Sequence, residues 1–149
     1  MKLVDANLLL YATDARAPRH AAARSWLERQ LSGSETMAFA WVVLLAFARL
    51  STHPQVFARP LSADQAFDMI GRWLGQPCAV IVHPGDRHTE VMRQLLRPFG
   101  TAGNLVNDAH LAALAIEHGA ELNSCDSDFS RFPGVRWINP LDSLSREAR

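Results

Sequence analysis

Four aspartates, Asp5, Asp108, Asp126 and Asp128, are the side chains of this sequence best suited by type and placement to carry chemistry. They come from three distant segments, and each follows an expected strand or opens an expected helix. At ~4 Å two unit charges repel by ~4 kcal/mol at an effective dielectric of ~20, so gathered carboxylates need protons or cations between them. An all-oxygen donor set favours Mg²⁺ or Mn²⁺. Such ions can activate a water and stabilise the leaving oxygen in phosphodiester cleavage. Taken singly, each acid has a plainer reading. Asp5 could be an N-cap or turn residue, Asp108 a first-turn acid complementing the helix dipole, and Asp126-Ser127-Asp128 a capped loop. Their coincidence is what points to a shared site. His110, two positions after Asp108, does not share its helix face and reads as structural.

The elements that must position these acids alternate along the chain. Short apolar stretches at Lys2–Asp5, Thr36–Ala40, Ala79–His83, Ala120–Ser124 and Val135–Ile138 read as strands. Helices are expected at Asn7–Ala12, Pro18–Leu31, Trp41–Ser51, Ser62–Leu74, Asp86–Leu96 and Leu105–His118. Ala22, Trp26, Leu27 and Leu31 recur at helical spacing, Ser62 with Gln65 forms a capping box, and Gly119 suits the position after a helix. Strands separated by helices predict an α/β fold, a short parallel sheet flanked by helices. Two helices in succession between residues 41 and 74 predict a helical arm. In parallel sheets ligands bind beyond the carboxyl ends of the strands. Asp5, Asp126 and Asp128 belong to that rim, and the start of the Leu105–His118 helix brings Asp108 to it.

The 149 residues suit one domain, here 1–149, with 48% hydrophobic and 20% charged residues. No apolar run reaches the ~18 residues a membrane span needs, and Lys2 and Asp5 do not resemble the opening of a signal peptide, so a cytoplasmic location without a membrane is expected. Cys78 and Cys125 lack CxxC spacing and read as free thiols. A formal net charge of zero excludes a strongly basic nucleic-acid-coating protein but not a nuclease. Lys2 is the sole lysine among 15 basic residues. Arginines such as Arg16, Arg19 and Arg24 could guide a phosphate backbone, or form a solvated helix face. Other phosphate chemistries are missing their parts. No Gly-rich loop ends in Lys, no second aspartate follows Asp5 at dehalogenase spacing, the lysine of a receiver-type site is absent, and no Gly-x-Ser-x-Gly elbow occurs.

Val4-Asp5-Ala6-Asn7-Leu8-Leu9-Leu10-Tyr11-Ala12 resembles the opening motif of PIN-domain ribonucleases. Gly103-Asn104-Leu105-Val106-Asn107-Asp108-Ala109-His110-Leu111 resembles their central acid helix, and Ser124-Cys125-Asp126-Ser127-Asp128-Phe129 their closing motif. The resemblance covers nearly the whole chain and is nearest to VapC-type toxins of type II toxin–antitoxin systems. It implies a PIN-like fold, Mg²⁺- or Mn²⁺-dependent cleavage of an RNA substrate, a homodimer, and neutralisation by a cognate VapB-type antitoxin. It assigns metal binding to Asp5, Asp108 and Asp126 with Asp128 close by, and supporting roles to Asn7 and Ser124, the latter orienting a carboxylate or a metal-bound water. One departure stands out. The glutamate expected three residues before Arg49 is Ala46, which leaves the expected site one carboxylate short and weaker for metal. A catalytically weakened protein that binds RNA or antitoxin without cutting is the alternative this departure keeps open. Trp26, Leu27, Leu31, Trp41, Leu44, Leu45 and Phe47 are either core residues or the walls of a groove for a partner helix.

Overall fold

The computed structural model describes residues 1–142, so residues 143–149 of the expected 1–149 domain lie outside the described residues. Five strands form one all-parallel sheet: β1 (Lys2–Val4), β2 (Met37–Phe39), β3 (Ala79–Ile81), β4 (Glu121–Asn123) and β5 (Trp137–Ile138). Their order is β3-β2-β1-β4-β5. The first strand is therefore central, with Val4 in register with Asn123 of β4 and Leu3 with Ala38 of β2. Leu3, Val4, Ala38, Phe39 and Leu122 are fully buried, as expected of strands covered on both faces. Every strand is shorter than its apolar run. Asp5, Ala40 and Ser124 leave the ladder at the carboxyl rim, where the chain turns into the next element. Val80 of β3 is 38% exposed, because β3 is an edge strand.

Among the elements lying wholly within the described residues, six α-helices connect and cover the sheet: α1 (Ala6–Thr13), α2 (His20–Ser32), α3 (Trp41–Ser51), α4 (Ala63–Leu74), α5 (His88–Leu96) and α6 (Leu105–Glu117). Pro18 lies in the turn before α2 rather than in its first turn. The capping box at the start of α4 forms as expected, Ser62 Oγ accepting from the Gln65 N–H at 3.1 Å and Gln65 Oε1 from the Ser62 N–H at 2.9 Å. Gly119 takes φ +60° after α6, a conformation an L side chain resists. Two 3₁₀ turns, Arg97–Phe99 and Ser127–Arg131, were not legible from periodicity.

The pair α3–α4 is the helical arm, and it is anchored rather than free. Trp73 of α4 stacks on Phe39 of β2, ring centroids 6.4 Å apart, and meets Phe47 of α3 edge-on at 4.8 Å. Trp26, Leu44 and Phe47 are core, so the groove reading fails for them. Trp41 and Leu45 are exposed at 42% and 55%, and Leu31 is half-buried. A separate groove of about 510 Å³ runs between the end of α1, α2 and α4, with Leu27, Leu31, Leu61, Met69 and Trp73 among its walls.

Candidate active site

The site is assembled at the carboxyl rim where β1 and β4, adjacent at the centre of the sheet, both end. The Asp5 N–H donates to the Asn123 carbonyl at 3.0 Å, the last rung before the chains part. Asp5 then caps α1, its Oδ1 accepting from the Ala6 N–H at 2.7 Å. The plain N-cap reading is thus true, and it leaves the second oxygen for other work. Oδ2 accepts from the Ser124 hydroxyl at 2.6 Å and from Asn7 Nδ2 at 3.0 Å.

Ser124 is fully buried at the end of β4 and ties the two motifs together. Its oxygen donates to Asp5 and accepts from Asn7 Nδ2 at 2.9 Å and from the Asp126 N–H at 3.0 Å. One donor and two acceptors exhaust a hydroxyl. Of the two roles expected for Ser124, orienting a carboxylate is therefore the one this geometry serves, and no valence is left for a water. Asn7 is held equally firmly, its Oδ1 accepting from the Cys125 N–H at 3.2 Å. Asp126 opens the second 3₁₀ turn, its Oδ1 accepting from the Asp128 N–H at 2.9 Å.

Asp108 arrives from the first turn of α6. Asp5 and Asp108 line one pocket of about 330 Å³, together with Val42, Ala46 and Arg49 of α3 and Asn107 of α6. Asp126 is half-buried beside them and Asp128 is exposed, 4.0 Å from the Arg131 guanidinium, which itself lies 4.7 Å above the Phe99 ring. Asp5 and Asp108 are therefore the inner pair, Asp126 is their neighbour, and Asp128 is outermost. Ala46 faces this pocket, so the missing carboxylate is missing from the site itself. Arg49 is a pocket residue to which the sequence assigned no task. Its i,i+3 spacing from Ala46 was the available signal.

Electrostatics bind the four acids into one system. Burial pushes the Asp108 carboxyl up to about 6, and the charges of Asp126, Asp5 and Asp128 push it in the same direction. Asp5 is also raised, first by burial and then by Asp126, against the hydrogen bonds from Ser124 and Ala6 that favour its charge. The donors are all oxygen, which suits a hard divalent cation, and the mutual repulsion is what such an ion relieves. Among the described residues no three of His, Cys, Asp and Glu are drawn close enough to close around an ion as they stand. The two observations differ because charge acts over a longer range than ligation. Mg²⁺ commonly keeps several waters and takes only one or two carboxylates, so the residues fit an open, hydrated site.

The raised Asp108 carboxyl has a consequence for stability without divalent ions. A carboxyl whose folded value exceeds its ordinary 3.8 favours the fold below 3.8, and loses that contribution as pH rises through about 6. Asp108→Asn should therefore stabilise the protein in EDTA at pH 8. After a discount for solvent exposure the gain is about 1 kcal/mol, or roughly 3 °C in Tm, and it should vanish below pH 4. Thermal melts across that range check the sign.

His110 belongs elsewhere. Its Nδ1 lies 2.8 Å from His88 Nε2, and His88 Nδ1 lies 2.6 Å from Glu117, an α5–α6 brace that bears out its structural reading.

The parallel sheet thus carries acids at one rim, following β1 and β4 and opening α6. The PIN domain model matches residues 2–135, and the chain belongs to that family. It is 51% identical over 140 residues to ribonuclease VapC37 of Mycobacterium tuberculosis, covering 94% of this chain and 97% of that protein. It is 37% identical to ribonuclease VapC33 of the same organism, covering 95% and 99%. Among solved structures, VapBC2 from Rickettsia felis bound to a promoter DNA fragment matches with a TM-score of 0.66 at 21% identity, over 92% of this chain and 96% of that one. VapC20 of M. tuberculosis, a sarcin–ricin-loop-cleaving toxin, matches with a TM-score of 0.62 at 17% identity, over 91% and 98%. At these identities the structures speak for the fold. Among the described residues no helix is long and apolar enough to cross a membrane.

Proposed function

We propose that this chain is a metal-dependent endoribonuclease toxin of the VapC type. In this reading Asp5, Asp108, Asp126 and Asp128 hold Mg²⁺ or Mn²⁺, and the protein acts in the cytoplasm as a homodimer neutralised by a VapB-type antitoxin. The observation that carries it is the Asp108 carboxyl, raised to about 6 by burial and by three other carboxylates at the rim where both central strands end. The name of the 51%-identical relative supports RNA as the substrate class, and the VapBC complex among the structural neighbours supports an antitoxin partner.

When bound, the divalent ion supplies Lewis acidity and water activation. The protein's own residues do the rest. Ser124 and Asn7 occupy Oδ2 and lock the rotamer of Asp5, so the acceptor site left on Oδ1 beside the Ala6 bond is aimed before any ligand arrives. Asp108 faces it across the pocket, and near neutral pH this carboxyl is mainly ionised, as a ligand must be. Asp128, exposed on the open side, would support the ion or set the local potential. The apolar groove between α1, α2 and α4 offers an antitoxin segment a surface away from the pocket.

Total RNA incubated with Mn²⁺, with Mg²⁺ and with EDTA tests the assignment. Cleavage in the first two and none in EDTA is the expected result, and equal cleavage in all three would overturn metal dependence. A second reading rests on Ala46, which leaves the α3 wall of the pocket without a carboxylate: a weakly cutting protein that acts by occupying RNA or antitoxin. Ala46→Glu separates the two. It is expected to tighten Mg²⁺ binding about tenfold by calorimetry and to raise the cleavage rate. Unchanged affinity would show that the gap at Ala46 does not limit the site.

A further inference from the structure

We propose that Arg49 grips a phosphate of the substrate strand at the mouth of the acid pocket, and that the Ala46 gap is what leaves its guanidinium free to do so. This inference rests on the ribonuclease reading above.

Arg49 lies in the last turn of α3 and lines the same pocket as Asp5 and Asp108. It is exposed, and its guanidinium makes no hydrogen bond or ion pair among the described residues. Several other arginines are engaged: Arg19 with Asp142 at 3.1 Å, Arg24 with Glu28 at 2.8 Å, Arg131 with Asp128 and over Phe99, and Arg136 with the Gly119 carbonyl at 2.7 Å. The position one turn before Arg49 on the pocket side is Ala46. A carboxylate there would be the i,i+3 partner of Arg49 and would claim its fork. With alanine there, the guanidinium has no local anion to satisfy it. A pocket rich in carboxylates would repel a phosphodiester on its way in, and a fixed cation on its wall reduces that repulsion at the point of entry. Arginine suits this task better than lysine, because its planar fork can bond two phosphate oxygens at once.

The pairing also explains how a site one acid short could keep its substrate. What it lacks in ligands for the ion it regains in direct contact with the phosphate.

The test pairs cleavage kinetics on RNA with binding of a fluorescein-labelled single-stranded RNA in EDTA, where nothing is cut. Arg49→Ala is expected to raise KM about tenfold with a smaller change in kcat, and to reduce the slope of log affinity against log salt by about 0.7, the single-strand value for one phosphate contact. Arg49→Lys should restore the salt slope but only part of the affinity, since it keeps the charge and loses the fork. Mg²⁺ binding by calorimetry and the Tm report whether Arg49→Ala leaves the pocket and the fold intact; a change in KM and slope with both preserved supports the grip. Wild-type KM and salt slope in Arg49→Ala would overturn it while leaving the nuclease reading standing. A wild type that cuts no RNA would remove the nuclease reading, and the EDTA binding arm would still decide whether Arg49 contacts phosphate.

Discussion

Asp5→Asn is expected to abolish RNA cleavage, on the order of 10³-fold, while leaving the protein folded. The two halves of this outcome have separate causes. Activity falls because the substitution removes a full negative charge from the centre of the acid set, and the several kcal/mol a divalent ion supplies to the transition state convert at about 1.4 kcal/mol per tenfold. The fold survives because the side chain is nearly isosteric and its burial opposes ionisation, so the neutral amide sheds a desolvation penalty. Oδ1 can keep the Ala6 cap. On the other side an amide nitrogen would replace the oxygen that accepts from Ser124 and Asn7, and since the Ser124 oxygen already accepts twice, both bonds are lost, a cost of about 1–3 kcal/mol set against the relieved desolvation. RNA cleavage assays alongside thermal melts measure both halves. Wild-type cleavage by a folded Asp5→Asn protein would remove Asp5 from the machinery.

The largest loss of stability is expected from Phe47→Ala, about 3–5 kcal/mol, or roughly 10 °C in Tm. Phe47 is fully buried and meets Trp73 edge-on, and Trp73 in turn stacks on Phe39 of the sheet. Truncation opens a cavity at the middle of this aromatic relay and uncouples α3 from α4. Because Ala46 and Arg49 flank Phe47 on the same helix, the pocket wall should loosen with it. Denaturant titration gives the stability change. A loss below about 1 kcal/mol would mean that the arm rests on other contacts.

Much of this architecture was readable in the sequence because it follows from periodicity and capping. The α/β alternation, the five strands and all six helices followed from apolar spacing, and Ser62 with Gln65 marked the start of α4 through its capping box. Boundaries were less legible. A strand with a buried face keeps its apolar pattern past its last paired residue, so Asp5 and His83 read as strand ends although β1 stops at Val4 and β3 at Ile81. The 3₁₀ turns gave no signal, since three to five residues show no period. The acids themselves were visible through chain position: one after β1, two after β4 and one at the start of α6. Their ranking into an inner pair, a neighbour and an outlier was not, because it depends on how far α6 leans over the rim. The saturation of Ser124 was likewise beyond reach, since it requires partners separated by most of the chain. The apolar residues of α2 and α3 were ambiguous for a related reason. Spacing says that Trp26 and Trp41 each lie on an apolar face, and only the packed sheet decides that the first is buried and the second is not.

The central place of β1 beside β4 has a consequence for the order of events during synthesis. The strand that leads to Asp5 is made well before its partner, which leads to Ser124. Until residues 121–128 have left the ribosome, Asp5 has neither the hydroxyl that aims it nor the neighbouring acids that give it a task. A chain released early cannot hold an assembled centre, however well its first three strands fold. Any activity of the site therefore waits until residues 121–128 have been made, so this arrangement of strands works as a timer against premature damage to the cell that makes it.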